Sequence, residues 1–171
     1  MRWDRLFDEL EGQVEHEHAR ARDALVEELR EGEWSQVSWT DLLSEGSAVE
    51  VVVRDVGPVR GKVRFANRQV IHLTSESAEH IVATAAVAWA CGGNRPAAPS
   101  AVLESLGWGH VLRSAGEDVL RLSLAGGQSV EGRLDVVGAN FVRIVAGPDG
   151  PEKRPARLVP FAAIRMLTVP T

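Results

Sequence analysis

Over most of the chain apolar and polar residues alternate, in short runs separated by turn signals. Val49, Val51 and Val53 form the first run, and Asp55-Val-Gly-Pro58 reads as a turn. Val59, Gly61, Val63 and Phe65 then alternate with Arg60, Lys62 and Arg64, and Asn67-Arg-Gln69 turns again. Val70, Ile71 and Leu73 predict a third strand, ending at Thr74-Ser-Glu-Ser77. His80 to Ala83 and Ala85 to Ala90 predict two more, broken near Thr84. A period of two marks strands with one buried face.

The pattern then pauses and resumes. Gly92 to Pro99 reads as a linker, and Ser100 caps a short predicted helix from Ala101 to Leu106, stopped by Gly107. A half-turn from His110 to Ser114 follows. Leu120, Leu122 and Leu124 alternate, and Ala125-Gly-Gly-Gln128 is a hairpin turn. Val130, Gly132, Leu134 and Val136 alternate with Glu131, Arg133 and Asp135, and Gly138-Ala-Asn140 turns. Phe141, Val142 and Ile144 come next, then an exposed loop from Gly147 to Pro155, then Arg157 to Pro160 and Phe161 to Val169.

The second series repeats the first. Residues 59–73 align with 130–144 without a gap, at an offset of 71, so that Gly61 meets Gly132 and Val63 meets Leu134. Residues 80–87 align with 157–164 at an offset of 77, the extra length falling in the Gly147 to Pro155 loop. Each unit reads as a short helix (Ser38 to Ser44 in the first) followed by five strands. Five short strands do not make a large flat sheet, and a glycine inside a strand marks a sharp bend. The fold class predicted is therefore mainly β with helical additions: two tandem five-stranded small barrels preceded by a long N-terminal helix. The predicted domains are a helix over 1–31, a first barrel over 38–91, a linker with a short helix over 92–110, and a second barrel over 111–171.

The N-terminal stretch has a different period. Trp3, Phe7, Leu10, Val14, Ala21, Leu25 and Leu29 recur in steps of three and four, with His18 in the gap, which predicts an amphipathic helix from Trp3 to Arg30. Its apolar stripe must be covered, so Trp3, Phe7, Leu10, Val14, Leu25 and Leu29 are candidate interface residues, and a homo-oligomer is expected. Charge follows the same division. Residues 1–33 hold eleven acids and five arginines, while the rest of the chain is close to neutral.

Composition adds limits more than clues. The chain has 171 residues, 44% apolar and 25% charged, which is globular. A net charge of −5 argues against a generic polyanion binder. No apolar run reaches the roughly 20 residues of a membrane helix. One cysteine, Cys91, and a charged N-terminus point to the cytoplasm, with no membrane partner. Seventeen arginines against two lysines, with no tyrosine, read as the mark of a GC-rich bacterial genome.

Candidate chemistry is sparse. Arg60, Lys62 and Arg64 share one strand face, and Arg54 and Arg68 flank it, which makes these five the candidate contacts for nucleic-acid phosphates. His16, His18, His72, His80 and His110 lack metal-ligand spacing, Cys91 has no adjacent base motif, and Gly126-Gly127 belongs to a hairpin. No catalytic residue, metal site or cofactor is predicted. The tryptophans, Trp34, Trp39, Trp89 and Trp108 among them, read as plugs of the barrel ends or as interface.

Val130-Glu-Gly132-Arg-Leu134, with Val137-Gly138 and Phe141-Val142-Arg-Ile144, resembles the first motif of the Sm-like family (Sm, LSm and Hfq proteins). Val59-Arg-Gly61-Lys-Val63, with Ala66-Asn67 and Val70-Ile71-His-Leu73, resembles it too. The resemblance covers about 55 residues twice and implies a short helix, five bent strands and edge-to-edge assembly. The family holds an RNA base with an asparagine where Ile71 and Val142 stand here. Its turn aspartate is replaced by Asn67 and Gly138, and its Arg-Gly pair by Ala86-Val87 and Ala163-Ile164. The base pocket is therefore missing from both units. The function expected is a non-enzymatic structural or protein-interaction module, acting on itself or another protein. The alternative is an RNA or other nucleic-acid binder using the basic strand face.

Overall fold

The computed structural model describes residues 32, 34–93, 105–116, 119–145 and 155–170. The chain divides into two compact units, residues 1–38 and 39–171. In the first unit only Gly32 and Trp34 to Ser38 are described. The predicted helix from Trp3 to Arg30, with its candidate interface residues Trp3, Phe7, Leu10, Val14, Leu25 and Leu29, lies outside the described residues, as does most of the short helix predicted from Ala101. Gly32 and Trp34 both have helical backbone.

Among the described residues the second unit holds ten strands: β1 (Ala48–Val53), β2 (Gly57–Ala66), β3 (Val70–Thr74), β4 (Ala78–Ala83), β5 (Val87–Cys91), β6 (Val119–Leu124), β7 (Ser129–Val137), β8 (Phe141–Val145), β9 (Arg157–Pro160) and β10 (Ile164–Pro170). A 3-10 turn at Trp39–Leu42 precedes β1, and one described α-helix, α1 (Trp108–Ser114), precedes β6. Two further 3-10 turns, Thr84–Ala86 and Phe161–Ala163, sit before β5 and β10.

All ten strands join one antiparallel sheet in the order β5-β1-β2-β3-β4-β10-β6-β7-β8-β9. The two closed small barrels predicted from the sequence do not form. Sealing each unit would need its fourth strand to pair with its own fifth. Instead β4 pairs with β10, the fifth strand of the other half, and the pairing that would close each barrel joins the halves. β5 and β9 are left at the two ends of an open sheet.

The halves match in detail. In both, the first strand pairs with the second and the fifth. The β2–β3 register shifts between Val63 and Phe65, and the β7–β8 register shifts between Leu134 and Val136, 71 residues later. Val53 faces Val87 in the first half, and Leu124 faces Ile164 in the second, each beside a further shift. A bulge kinks its strand and strengthens the twist, so the bend falls at the same place twice. Gly61 and Gly132 sit two residues before that place. A Cβ at Gly61 would stand 2.9 Å from the Thr74 carbonyl oxygen, and one at Gly132 would stand 2.1 Å from that of Val145.

The core is aliphatic. Val51, Val53, Val63, Val70, Ile71 and Leu73 of the first half, and Leu120, Leu122, Ile144, Ile164 and Leu167 of the second, are almost wholly buried. β-Branched residues on a pleated face pack well against neighbouring strands. The inward positions are those that the alternation marked, until each bulge changes the phase.

Candidate interaction edges and basic face

The seam between the halves is a paired and buried contact surface. Met166 faces Val82, Leu167 faces Ile81, and Thr168 faces His80. Ile81 is 6% exposed and Met166 8%, so the seam is packed like a core. His80 Nδ1 stands 3.3 Å from Thr168 Oγ1, and its Nε2 stands 3.4 Å from Ser75 Oγ. An ion pair from Arg165 to Asp55, 3.3 Å apart, ties β10 to the β1–β2 turn.

A side-chain latch lies beside the seam. Asn67, almost fully buried, donates from Nδ2 to the Leu106 carbonyl at 2.9 Å. Its Oδ1 accepts from the backbone N–H groups of Gln69 and Val70, both at 2.8 Å. The Asn67 side chain thus shapes its own turn and holds the segment that enters α1. The sequence marked Asn67 only as a turn residue, because its second role depends on a partner 39 residues away.

At the two outer edges the equivalents of two seam residues, Met166 and Ile81, are uncovered. Trp89 of β5 corresponds to Met166, and Leu158 of β9 corresponds to Ile81, each at an offset of 77. Trp89 is 51% exposed and Leu158 66%. Among the described residues β5 pairs only with β1, and β9 only with β8. Such edges present unpaired backbone groups to any extended chain.

The five cations singled out by sequence are divided by the fold. Arg60 pairs with Glu50 on the adjacent strand. Arg54 reaches the carbonyls of Ala85 and Ala86. Lys62, Arg64 and Arg68 are exposed, and among the described residues they have no carboxylate partner. The matching positions of β7 carry Glu131, Arg133 and Asp135, with Asp135 paired to Arg143 at 2.5 Å.

His72, β3, and Glu79, β4, approach each other next to α1. His72 Nε2 is shielded from solvent, 3.2 Å from Glu79 Oε2 but outside hydrogen-bonding geometry. Burial lowers the His72 pKa, the Glu79 carboxylate opposes that shift, and Arg64 adds to it. Burial also lowers the pKa of His80. Both imidazoles are therefore harder to protonate in the folded chain than in the unfolded one. Below the ordinary value of about 6.5, the unfolded chain takes up protons that the folded chain refuses. Stability is level above that pH and falls as pH drops through it. The melting temperature should decline between pH 7.5 and pH 5, and His80→Gln should flatten the decline. A melting temperature that rises on acidification contradicts this assignment.

Among the described residues no group of three or more His, Cys, Asp or Glu side chains is placed to hold a metal ion. Among them, too, no helix is long and apolar enough to cross a membrane. Cys91 is an exposed free thiol on the β5 edge. No protein-family model matches the chain, and no curated protein matches it in sequence.

Proposed function

We propose that this chain is a non-enzymatic assembly module of the cytoplasm, an internally duplicated relative of Sm-like proteins that associates with copies of itself edge to edge. The observation that carries the reading is the contrast in burial between equivalent positions. Ile81 and Met166 are covered because β4 and β10 meet, whereas Leu158 and Trp89 occupy the same places on β9 and β5 and face solvent. An edge that repeats the sequence position of a buried joint, and presents exposed apolar residues there, is suited to the same joint with another copy. The single cysteine suits a reducing compartment.

The register of such a joint follows from the seam. Val159 would face Trp89, Leu158 would face Ala90, and Arg157 would face Cys91, as Val82, Ile81 and His80 face Met166, Leu167 and Thr168. The two edges are unlike, so the contact is head-to-tail and either closes into a ring or continues. Of the five cations of the nucleic-acid reading, Lys62, Arg64 and Arg68 keep no carboxylate partner among the described residues, and that reading has less support than the edges.

Sedimentation of the full chain at about 100 µM detects joints stronger than about 5.5 kcal/mol. The chain should run as an oligomer and Leu158→Glu as a monomer, with its melting temperature kept because Leu158 is exposed. A wild-type monomer at that concentration overturns the reading.

A further inference from the structure

The strands are only part of the internal joint. The lead-in to α1 is fastened to the β2–β3 turn through the bond from Asn67 to Leu106. Gly107 abuts the same turn so closely that a Cβ there would stand 2.4 Å from Gln69 Oε1. Trp108 comes next and is 8% exposed. Phe65, His72, Glu79 and Ile81 of the first half, with Leu106 and Val111, enclose a cavity of about 440 Å³ beside α1.

The first half opens with the same arrangement. Trp39, Leu42, Leu43 and Gly46 match Trp108, Val111, Leu112 and Gly116 in order and in spacing to within one residue. Leu43 and Leu112 are both buried, and both glycines have left-handed backbone, φ 79° and 68°. Trp39 differs from Trp108 in being 40% exposed. It borders a groove of about 600 Å³ along β5, shared with Trp89. At the other end of the sheet stand the counterparts of the residues beside α1. Val136 matches Phe65, Gly138 matches Asn67, Asn140 matches Gln69 and Leu158 matches Ile81. Val136 and Leu158 are again large, apolar and exposed.

We infer that Trp39 of one copy docks against the β7–β8 turn, Val136 and Leu158 of the next copy, as the Trp108 segment docks against the β2–β3 turn within the chain. This rests on the edge-to-edge reading and adds a second contact to it. The occupant is a second copy because the internal joint already shows the same tryptophan element seated beside the same turn. One difference matters. Gly138 has no side chain to donate, so the latch that Asn67 makes to Leu106 has no counterpart between copies. The outer joint depends on apolar contact and strand pairing, and it is the weaker and more readily reversed of the two.

The test uses the full chain and sedimentation over a concentration series. Trp39→Ala should weaken self-association at least about tenfold, as burying an aromatic anchor implies, and Trp39→Phe should recover most of it. Val136→Asp, on the opposite surface of the joint, should weaken it likewise. The two residues meet across one contact, so the double variant should lose little more than either single one. If Leu158→Glu dissociates the assembly while Trp39→Ala and Val136→Asp associate normally, or if their effects add in full, this inference is overturned and the edge reading stands. If the wild-type chain is a monomer, both fall. Melting temperatures of each variant separate lost association from lost folding.

Discussion

Gly132→Val should destabilise the sheet by about 3 kcal/mol or more, at the upper end of what overpacking usually costs. The added Cβ would lie 2.1 Å from the Val145 carbonyl oxygen and 2.8 Å from Ile144 Cγ2. The first of these is backbone on the neighbouring strand, so relief requires moving β8 and not merely turning a side chain. The residue also has φ 158°, which side-chain-bearing residues rarely adopt. Gly61→Val should cost less, because there the corresponding approach to the Thr74 oxygen is 2.9 Å. Gly127→Asn is the control. Its nearest neighbour is 3.8 Å away, and at φ 75° asparagine is among the better tolerated residues. Urea denaturation of the three variants checks the order, and equal small losses would show that the strand does not bend tightly at Gly132.

The second large effect concerns β10. Leu167 is 1% exposed and lies between Ile81 of β4 and Leu122 of β6. Leu167→Ala should cost about 2–5 kcal/mol, the range for truncating a buried leucine. Because β10 is bonded to both halves, the loss should appear as one cooperative transition moved to lower denaturant, not as early melting of one half. Leu158→Ala, at an exposed position, should stay within about 0.5 kcal/mol. Two separate unfolding steps in the wild-type chain would refute a single cooperative unit over residues 39–171.

The sequence located the strands well and their neighbours poorly. Alternation at Val49, Val51 and Val53, or at Leu120, Leu122 and Leu124, tells which side of a strand is inward. The break at Thr84 was legible because Ala83 to Ala86 has no alternation. A period of two carries no information on which strand lies alongside. Both β5 and β10 are apolar runs suited to pair with β4, and the selection of β10 is made by three-dimensional packing between residues 84 to 92 positions apart. α1 was legible only as a half-turn. Gly107, Gly109 and Ser114 depress helix propensity there, and it is the burial of Trp108, Val111 and Leu112 that holds the helix. The basic stripe was legible as a set of charges. Its division was not, because Glu50 lies on another strand and the carbonyls of Ala85 and Ala86 belong to a turn.

The position of β10 also governs when the sheet can be finished. It is the last of the ten strands to be synthesised, yet it fills the middle of the sheet. Once β4 has been made, about 80 more residues must follow before its partner exists, roughly 4–16 s at ordinary elongation rates of about 5–20 residues per second. For that interval the seam side of β4 is an uncovered strand edge on the nascent chain, open to pairing with neighbouring chains on the same message. Glu79 and His80 are its only polar residues, and until β10 arrives they are what β4 itself has to discourage the wrong strand.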